Sequence, residues 1–243
     1  VIVRMTATPA TAGRICRNVS HIAGLGFTRI SLAFDLTSPG WDRAALEKAA
    51  CSLDELSDWY VAQVASGAPV TIPAFDSLAA GRSVPPCGLF CGAACTLFSV
   101  DPDGAIHPCW RFAGDPEWRM GDVFSGFQAD PAGHVFNRIK QRETTRCRDC
   151  AHTGYCGRCA WLGLRLAGDP AAVSALQCRV ALMVIGAGRK ACDALISSGS
   201  RAFIARLPVL DAVRGGDGTM VLTDRPGSVY NIPASELERF RVR

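Results

Sequence analysis

The 243-residue chain has no apolar run near the ~20 residues that a membrane-spanning helix needs, and no recognisable secretory leader. Neither a membrane-spanning protein nor a secreted disulfide scaffold is expected. A basic stripe is missing too: the formal charge is only +4, and the basic residues are scattered and not interleaved with aromatics. Nucleic-acid binding therefore gets no support. Charged residues are 20% of the chain against 49% hydrophobic, a globular balance with apolar material for one large or two ordinary domains. There is no starting Met, and Val1 in "VIVRMTATP" reads as the inside of a strand, so the chain is expected to begin partway through a larger protein.

What the chain has in abundance is cysteine, twelve in all. In a chain without a secretory signal, clustered Cys-x-x-Cys pairs point to metal binding or redox chemistry in a reducing, cytoplasmic setting. Nine of the twelve fall in one region: Cys87, Cys91 and Cys95 in "CGLFCGAAC", Cys109, then Cys147, Cys150, Cys156 and Cys159 in "CRDCAHTGYCGRCAW", and Cys178. Cys16, Cys51 and Cys192 sit on apolar helical faces and read as small buried residues.

Around this region the hydrophobic pattern changes. Residues 2 to 6 form a β-prone run, Ile15, Val19 and Ile22 recur at helical spacing, and "TRISLAFDL" reads as a buried strand. A long helix is expected from Trp41 to Ala65, followed by a third strand in "APVTIPAF". This strand and helix alternation is that of a parallel α/β sheet or a piece of a barrel. It stops near Gly81, where cysteines, prolines and turns take over. Within that stretch "LFSVDPDGAIHPC" predicts a hairpin, Leu97 to Val100 and Ala105 to His107, turning on "DPDG" and ending at Cys109. Residues 180 to 198 read as a closing helix, "RGGDG" at 214 to 218 as a linker, and the rest as a small hairpin with a short helix capped by Ser235.

A tetrahedral ion needs several thiolates within about 2.3 Å, and each Cys-x-x-Cys turn supplies two. Both turns at 147 to 159 could share one zinc, although the five residues between Cys150 and Cys156 are fewer than usual four-cysteine zinc modules have. That site would leave Cys87, Cys91, Cys95, Cys109 and Cys178 unexplained. Nine thiols are about enough for two four-thiolate [4Fe–4S] clusters. A redox-active thiol set is the third option.

The ordered pattern Cys91-x12-Gly104-x4-Cys109, then Cys147-x2-Cys150-x5-Cys156-x2-Cys159 and Cys178, resembles the SPASM domain of radical S-adenosylmethionine (SAM) enzymes. The flanking "VDPDGAIHPCWRF" is similar to that family's hairpin, while "CGRC" has two residues where the family commonly has three. The resemblance implies an α/β fold: the C-terminal part of a partial (β/α) barrel at 1–80, then a small cysteine-rich α+β SPASM domain at 81–185. A closing-helix segment at 186–213 and a linker and tail at 214–243 complete it. It implies one auxiliary cluster on Cys91, Cys109, Cys159 and either Cys87 or Cys95, and another on Cys147, Cys150, Cys156 and Cys178. It also implies that Arg4 and Thr6, at the end of the first strand, contact S-adenosylmethionine.

Radical SAM enzymes cleave S-adenosylmethionine to a 5′-deoxyadenosyl radical on a third [4Fe–4S] cluster held by CxxxCxxC. This chain has no CxxxCxxC, since "CGLFCGAAC" is one residue too long and follows the α/β repeat. The expected identity is thus the C-terminal portion of a peptide or protein maturase, with an electron donor such as flavodoxin or ferredoxin as partner and the radical-initiating cluster in the full-length parent. In the sulfatase-maturating branch an Asp after the hairpin cysteine is the base; here Trp110 stands there, and an indole only donates. Asp101 and Asp103 read as turn formers, and His107 and His152 as neighbours of ligands that could tune a cluster by hydrogen bonding. The competing reading is non-enzymatic: an iron–sulfur or zinc module that binds a peptide or partner or relays electrons. "VYNIPASELERFRV" could also be a tethered segment that pairs with a partner, against the plainer reading of a docked C-terminal hairpin.

Overall fold

The computed structural model describes residues 1–79, 91–95, 97–128, 147, 149–152 and 155–204, and the strand backbone at 211–214, 220–223 and 229–232. Cys87, linker residues 215–218 and the expected helix at Ser235 lie outside the described residues. The chain divides into two units, Val1–Ser83 with Leu182–Arg243, and Val84–Ala181.

In the first unit, strand β1 (Val3–Ala7) alternates with period two and leaves Arg4 and Thr6 exposed while Ala7 is buried. It pairs in parallel with β2 (Ile30–Phe34), from Val3 opposite Ile30 to Ala7 opposite Phe34. A parallel pair needs a crossover. Here a 3₁₀ turn over Pro9–Arg14 and helix α1 (Ile15–Gly24) supply it, with Ile15 and Val19 one turn apart and fully buried.

Helix α2 (Arg43–Ala65) starts two residues later than its pattern suggests, because Asp42 accepts a 2.8 Å hydrogen bond from the Ala45 N–H and caps it. Trp41 stays outside, its Nε1 donating to Asp35 O at 2.7 Å. The buried stripe runs Ala49, Leu53, Leu56, Tyr60, Val64. Cys51 is about 200° around the helix from Ala49 and is exposed, so the expectation that it is a buried small residue fails. Cys16 is half-buried, and only Cys192 is buried outright, donating to Phe75 O at 3.5 Å.

The third strand is also a correction. Only Thr71 bridges to Arg29, with Ile30 N–H to Thr71 O at 3.0 Å and Thr71 N–H to Thr28 O at 2.7 Å. Pro73 cannot donate to a ladder and suits a first helical turn, so the chain turns into α3 (Pro73–Ala79), whose Phe75 and Asp76 N–H groups bond to Ile72 O. Tyr60 packs edge-on against Phe75 at 5.5 Å and donates its hydroxyl to Asp76.

In the second unit a four-stranded antiparallel sheet runs in the order β3 (Ser99–Val100), β4 (Ala105–His107), β5 (Gly121–Asp122), β6 (Gly126–Phe127). The hairpin forms as expected but shorter, because Leu97 bridges to Ala93 instead of extending β3. Gly104 closes its turn at φ 88°, a left-handed conformation costly for other residues. Helix α4 (Ala160–Ala167) follows the last cysteine pair, and α5 (Ala175–Ser197) gives residues to each unit. Among the described residues, one core cluster of the unit comprises Ala93, Cys109, Phe112, Trp118, Met120, Ala160 and Ala171, with the Phe112 and Trp118 rings 4.7 Å apart, and Ala105, Ile106, Leu162 and Val180 are also buried.

Beyond α5 lie α6 (Arg201–Ile204) and an antiparallel meander of β7 (Asp211–Arg214), β8 (Met220–Thr223) and β9 (Val229–Ile232). Arg214, read as the start of a linker, is instead the last residue of β7. No helix among the described residues is long and apolar enough to cross a membrane.

Candidate metal centre

The cysteines of the second unit are placed by short, hydrogen-bonded turns. Cys91 begins a tight loop in which the Cys95 and Leu97 N–H groups both bond to Gly92 O, at 3.0 and 2.9 Å. Ala94, in that loop, has φ 58°, a strained value for a residue with a side chain. Its N–H is shared between Leu97 O and Pro108 O, at 3.1 and 3.0 Å, which ties the loop to the residue before Cys109. Cys109 is buried in the core, and Cys159 is the N-cap residue of α4. Gln177, buried at the start of α5, donates to Cys159 O at 3.5 Å.

The remaining thiols cluster on the segment before α4. Cys150 N–H bonds back to Cys147 O at 3.4 Å, Cys156 N–H to His152 O at 3.0 Å, and Arg158 N–H to Cys156 O at 2.9 Å. Cys178 sits in the first turn of α5, its N–H bonded to Ser174 O. None of the described cysteines is in a disulfide.

Electrostatics sorts seven of these thiols into two sets. Desolvation, then the charges of Cys159 and Cys109, push the Cys91 thiol up, against a lowering by the Ala93 N–H. By accessible area Cys91 counts as exposed, yet enough protein surrounds its sulfur for desolvation to be the largest cause. Cys109 is raised by desolvation and by Cys159, and lowered by the Arg111 and Phe112 N–H groups and the Arg111 charge. Cys156 is pushed up to about 11 by desolvation and by Cys147, Cys178 and Cys150, with Arg158 pulling the other way. Cys159 thus acts on both Cys91 and Cys109, and Cys109 on Cys91, while Cys147, Cys150 and Cys178 all act on Cys156.

Four sulfurs 2.3 Å from one tetrahedral ion lie about 3.8 Å apart. Among the described residues no three His, Cys, Asp or Glu side chains converge to hold a single ion. Thiols throughout each set are donors of the kind that hold either zinc or a [4Fe–4S] cluster, and a cube spreads its ligands wider than a single ion does.

The flanking residues fall as follows. His107 is buried, its Nε2 lying 2.9 Å from Asp101 Oδ2 but off the N–H axis, so that neither ring nitrogen makes a directed hydrogen bond. Asp103 Oδ1 accepts from the Ala105 N–H at 3.4 Å and serves the turn, whereas Asp101 joins the turn only through its backbone and its Oδ2 accepts from the Gly114 N–H at 2.8 Å, thirteen residues on. Among the described residues His152 Nδ1 is buried without a hydrogen-bond partner. Cys95 is exposed at the end of its loop. Arg4 and Thr6 lie on the exposed face of β1, opposite Ser31 and Ala33, in the other unit.

Two features escaped the sequence. Arg158, beside Cys156, is buried. The Arg111 guanidinium lies over two indoles, 4.9 Å from the Trp110 centroid and 4.6 Å from that of Trp161. The signal was there: an Arg and a Trp each stand two residues past a cysteine, at Cys109 and Cys159.

No protein-family model matches the chain, and no curated protein does. Two solved structures share its fold. A polyhistidine-tagged form of anSMEcpe with bound AdoMet is 17% identical with a TM-score of 0.54, over 84% of this chain and 56% of that one. Native anSMEcpe with bound AdoMet is 16% identical with a TM-score of 0.54, over 80% and 57%. The chain therefore spans little more than half the length of the structures it resembles.

Proposed function

We propose that this chain is the C-terminal portion of a radical SAM/SPASM maturase that modifies a peptide or protein substrate by hydrogen-atom abstraction, its cysteine-rich unit carrying two auxiliary [4Fe–4S] clusters. The observation that carries the reading is the sorting of seven thiols into the sets 91, 109, 159 and 147, 150, 156, 178. Those are the two groupings that the motif resemblance implies. The shared fold with anSMEcpe, whose bound AdoMet is S-adenosylmethionine, supports it independently.

Cys91, Cys109 and Cys159, with Cys87 or Cys95, would hold one cluster, and Cys147, Cys150, Cys156 and Cys178 the other. When bound, the clusters supply an electron acceptor or a substrate-binding iron. The chain's own part includes the Cys91, Cys109 and Cys156 thiols, which burial pushes up so that they keep their protons until metal arrives and loading releases them. Around Cys109 the Arg111 and Phe112 N–H groups then favour the thiolate. His152 Nδ1, unpartnered among the described residues and in the loop between Cys150 and Cys156, is available to a sulfur acceptor. On the exposed face of β1, Arg4 and Thr6 are the side chains offered to S-adenosylmethionine, and the electron donor would be a flavodoxin or ferredoxin.

The test is an anaerobic assay of iron, acid-labile sulfide and zinc on the purified chain. The expected result is about eight iron and eight sulfide per chain, the content of two [4Fe–4S] clusters. One or two zinc without sulfide would overturn the proposal in favour of a non-enzymatic metal module.

A further inference from the structure

Arg111 holds an unusual position. Its guanidinium carbon lies 4.9 Å from the ring centroid of Trp110, the neighbour of Cys109, and 4.6 Å from that of Trp161, two residues past Cys159. Both distances are within the ~6 Å over which a cation is attracted to an indole face. Arg165, one turn along α4, lies 5.7 Å from the Trp161 centroid. The clamp therefore joins two segments far apart in sequence, each carrying a thiol of the same set. None of the ion pairs among the described residues involves Arg111. Among those residues no carboxylate neutralises its charge, which is felt at the Cys109 sulfur beside it.

A guanidinium is always charged, and it is attracted to each of the two indole faces. A cation fixed near a thiolate-ligated cluster favours the state with one more negative charge. We propose that Arg111 is a positioning residue for the set Cys91, Cys109 and Cys159: the two tryptophans fix its charge beside Cys109, tie the two ligand-bearing segments together, and favour the reduced state of the cluster held there. This rests on the two-cluster reading above. The step concerned is the addition of one electron from an external low-potential donor, dithionite in the test, with no bond made or broken. The second set, which has its own cation in Arg158 next to Cys156, serves as internal reference.

The experiment is a potentiometric titration followed by electron paramagnetic resonance on the reconstituted full chain, with iron and sulfide counted in each sample. A unit charge about 10 Å away at an effective dielectric near 20 is worth about tenfold in an equilibrium. In Arg111→Met one cluster should become about tenfold harder to reduce, 59 mV lower for a one-electron couple, while the other is unmoved. Arg111→Lys, which keeps the charge, should recover most of the shift, and Trp161→Leu, which frees the guanidinium, should fall between. Iron loss in Arg111→Met that Arg111→Lys restores would also support the role. Equal potentials in wild type and Arg111→Met at full iron content, or equal iron loss in both Arg111 variants, would overturn it and leave the two-cluster reading standing. A wild-type chain without iron would sink that reading first, and the inference with it.

Discussion

The two units are held together by different means. Among the described residues the largest fully buried side chains are Tyr60, Phe75, Phe112, Phe203, Ile15, Ile30, Leu53, Leu56, Ile72 and Leu195, and all but Phe112 belong to the α/β unit. The cysteine-rich unit packs alanines, a methionine, a tryptophan and a thiol around that one phenylalanine. It also exposes Trp110, Val123, Phe124 and Phe127. A region with so little core usually needs disulfides or metal to stay folded, and its described cysteines form no disulfides. On the proposed reading, burial stabilises the α/β unit, while the cysteine-rich unit serves as a frame for donor atoms and should become more protected when they are occupied.

The sharpest break of that comparison is loss of a ligand. Cys156→Ala should lower the iron content from about eight to about four per chain, and Cys109→Ala should do the same through the other set. Combining them should remove nearly all iron. In the iron-depleted variants hydrogen exchange should accelerate in residues 91–128 and 155–181 and stay slow in α2. Exchange that speeds up equally in both units would show that they do not differ in what holds them.

A matched pair of glycines probes packing without touching a thiol. A Cβ on Gly163 in α4 would lie 2.6 Å from Ala172 O and 2.8 Å from Asp169 O, both backbone atoms that cannot step aside. On Gly188 in α5 it would meet Leu78 Cδ1 at 2.4 Å, the end of a flexible side chain, and Phe75 Cδ1 at 2.9 Å, on the ring of a fully buried phenylalanine. Gly163→Ala should therefore cost about 3 kcal/mol, the upper part of the range for overpacking. Gly188→Ala should cost less, about 1–2 kcal/mol, because Leu78 can move aside although the Phe75 ring has little room, the helix-propensity gain of Ala over Gly being common to both sites. Denaturant unfolding of both variants measures the difference.

The thiol-rich frame should also answer to pH. In the metal-free chain the Cys156 thiol is held up at about 11 against an ordinary 9.0, so between those values the unfolded chain gives up its proton first. The folded state then binds more protons, and stability falls as pH rises, by at most about 1.4 kcal/mol per pH unit for one group. Thermal unfolding of the metal-free chain from pH 8 to 11 should show this decline, and Cys156→Ala should flatten it. Unchanged slope in that variant would mean that Cys156 is not held up by its neighbours.

How much of this was legible in the chain differs between the units. The repeat of Leu53, Leu56 and Tyr60 indicated α2, because burial writes its period into the sequence, and the β-prone composition of residues 2 to 6 indicated β1 to within a residue. The third strand misled because "APVTIPAF" is β-prone locally, while Pro73 has no N–H for a ladder and begins a helix. The start of α2 was two residues off because Asp42 is a better cap than its neighbours. In the cysteine-rich unit spacing singled out the cysteines that the proposed reading uses as donors, but not that Arg111 lies over two indoles. Cation–π contacts between segments have no sequence period, and only the fold brings Trp110 and Trp161 to one guanidinium.

The smallest expected effect tests whether charge contributes to the α/β unit at all. Lys190 Nζ lies 2.7 Å from Asp54 Oδ1 and 2.8 Å from Asp58 Oδ1, which looks like a strong anchor of α5 on α2. All three side chains are well exposed, however, at 42% for Lys190 and 62% and 67% for the two aspartates. Water and salt screen such contacts, and holding a long side chain between two carboxylates costs entropy, so exposed pairs contribute about 0–1 kcal/mol. Lys190→Met keeps the aliphatic stem and should lower stability by no more than that, with the difference shrinking further at 1 M salt, where the Debye length is about 3 Å. A loss of several kcal/mol that persists in high salt would mean that these helices depend on charge, and the contrast drawn between a burial-held unit and a ligand-held one would need to be redrawn.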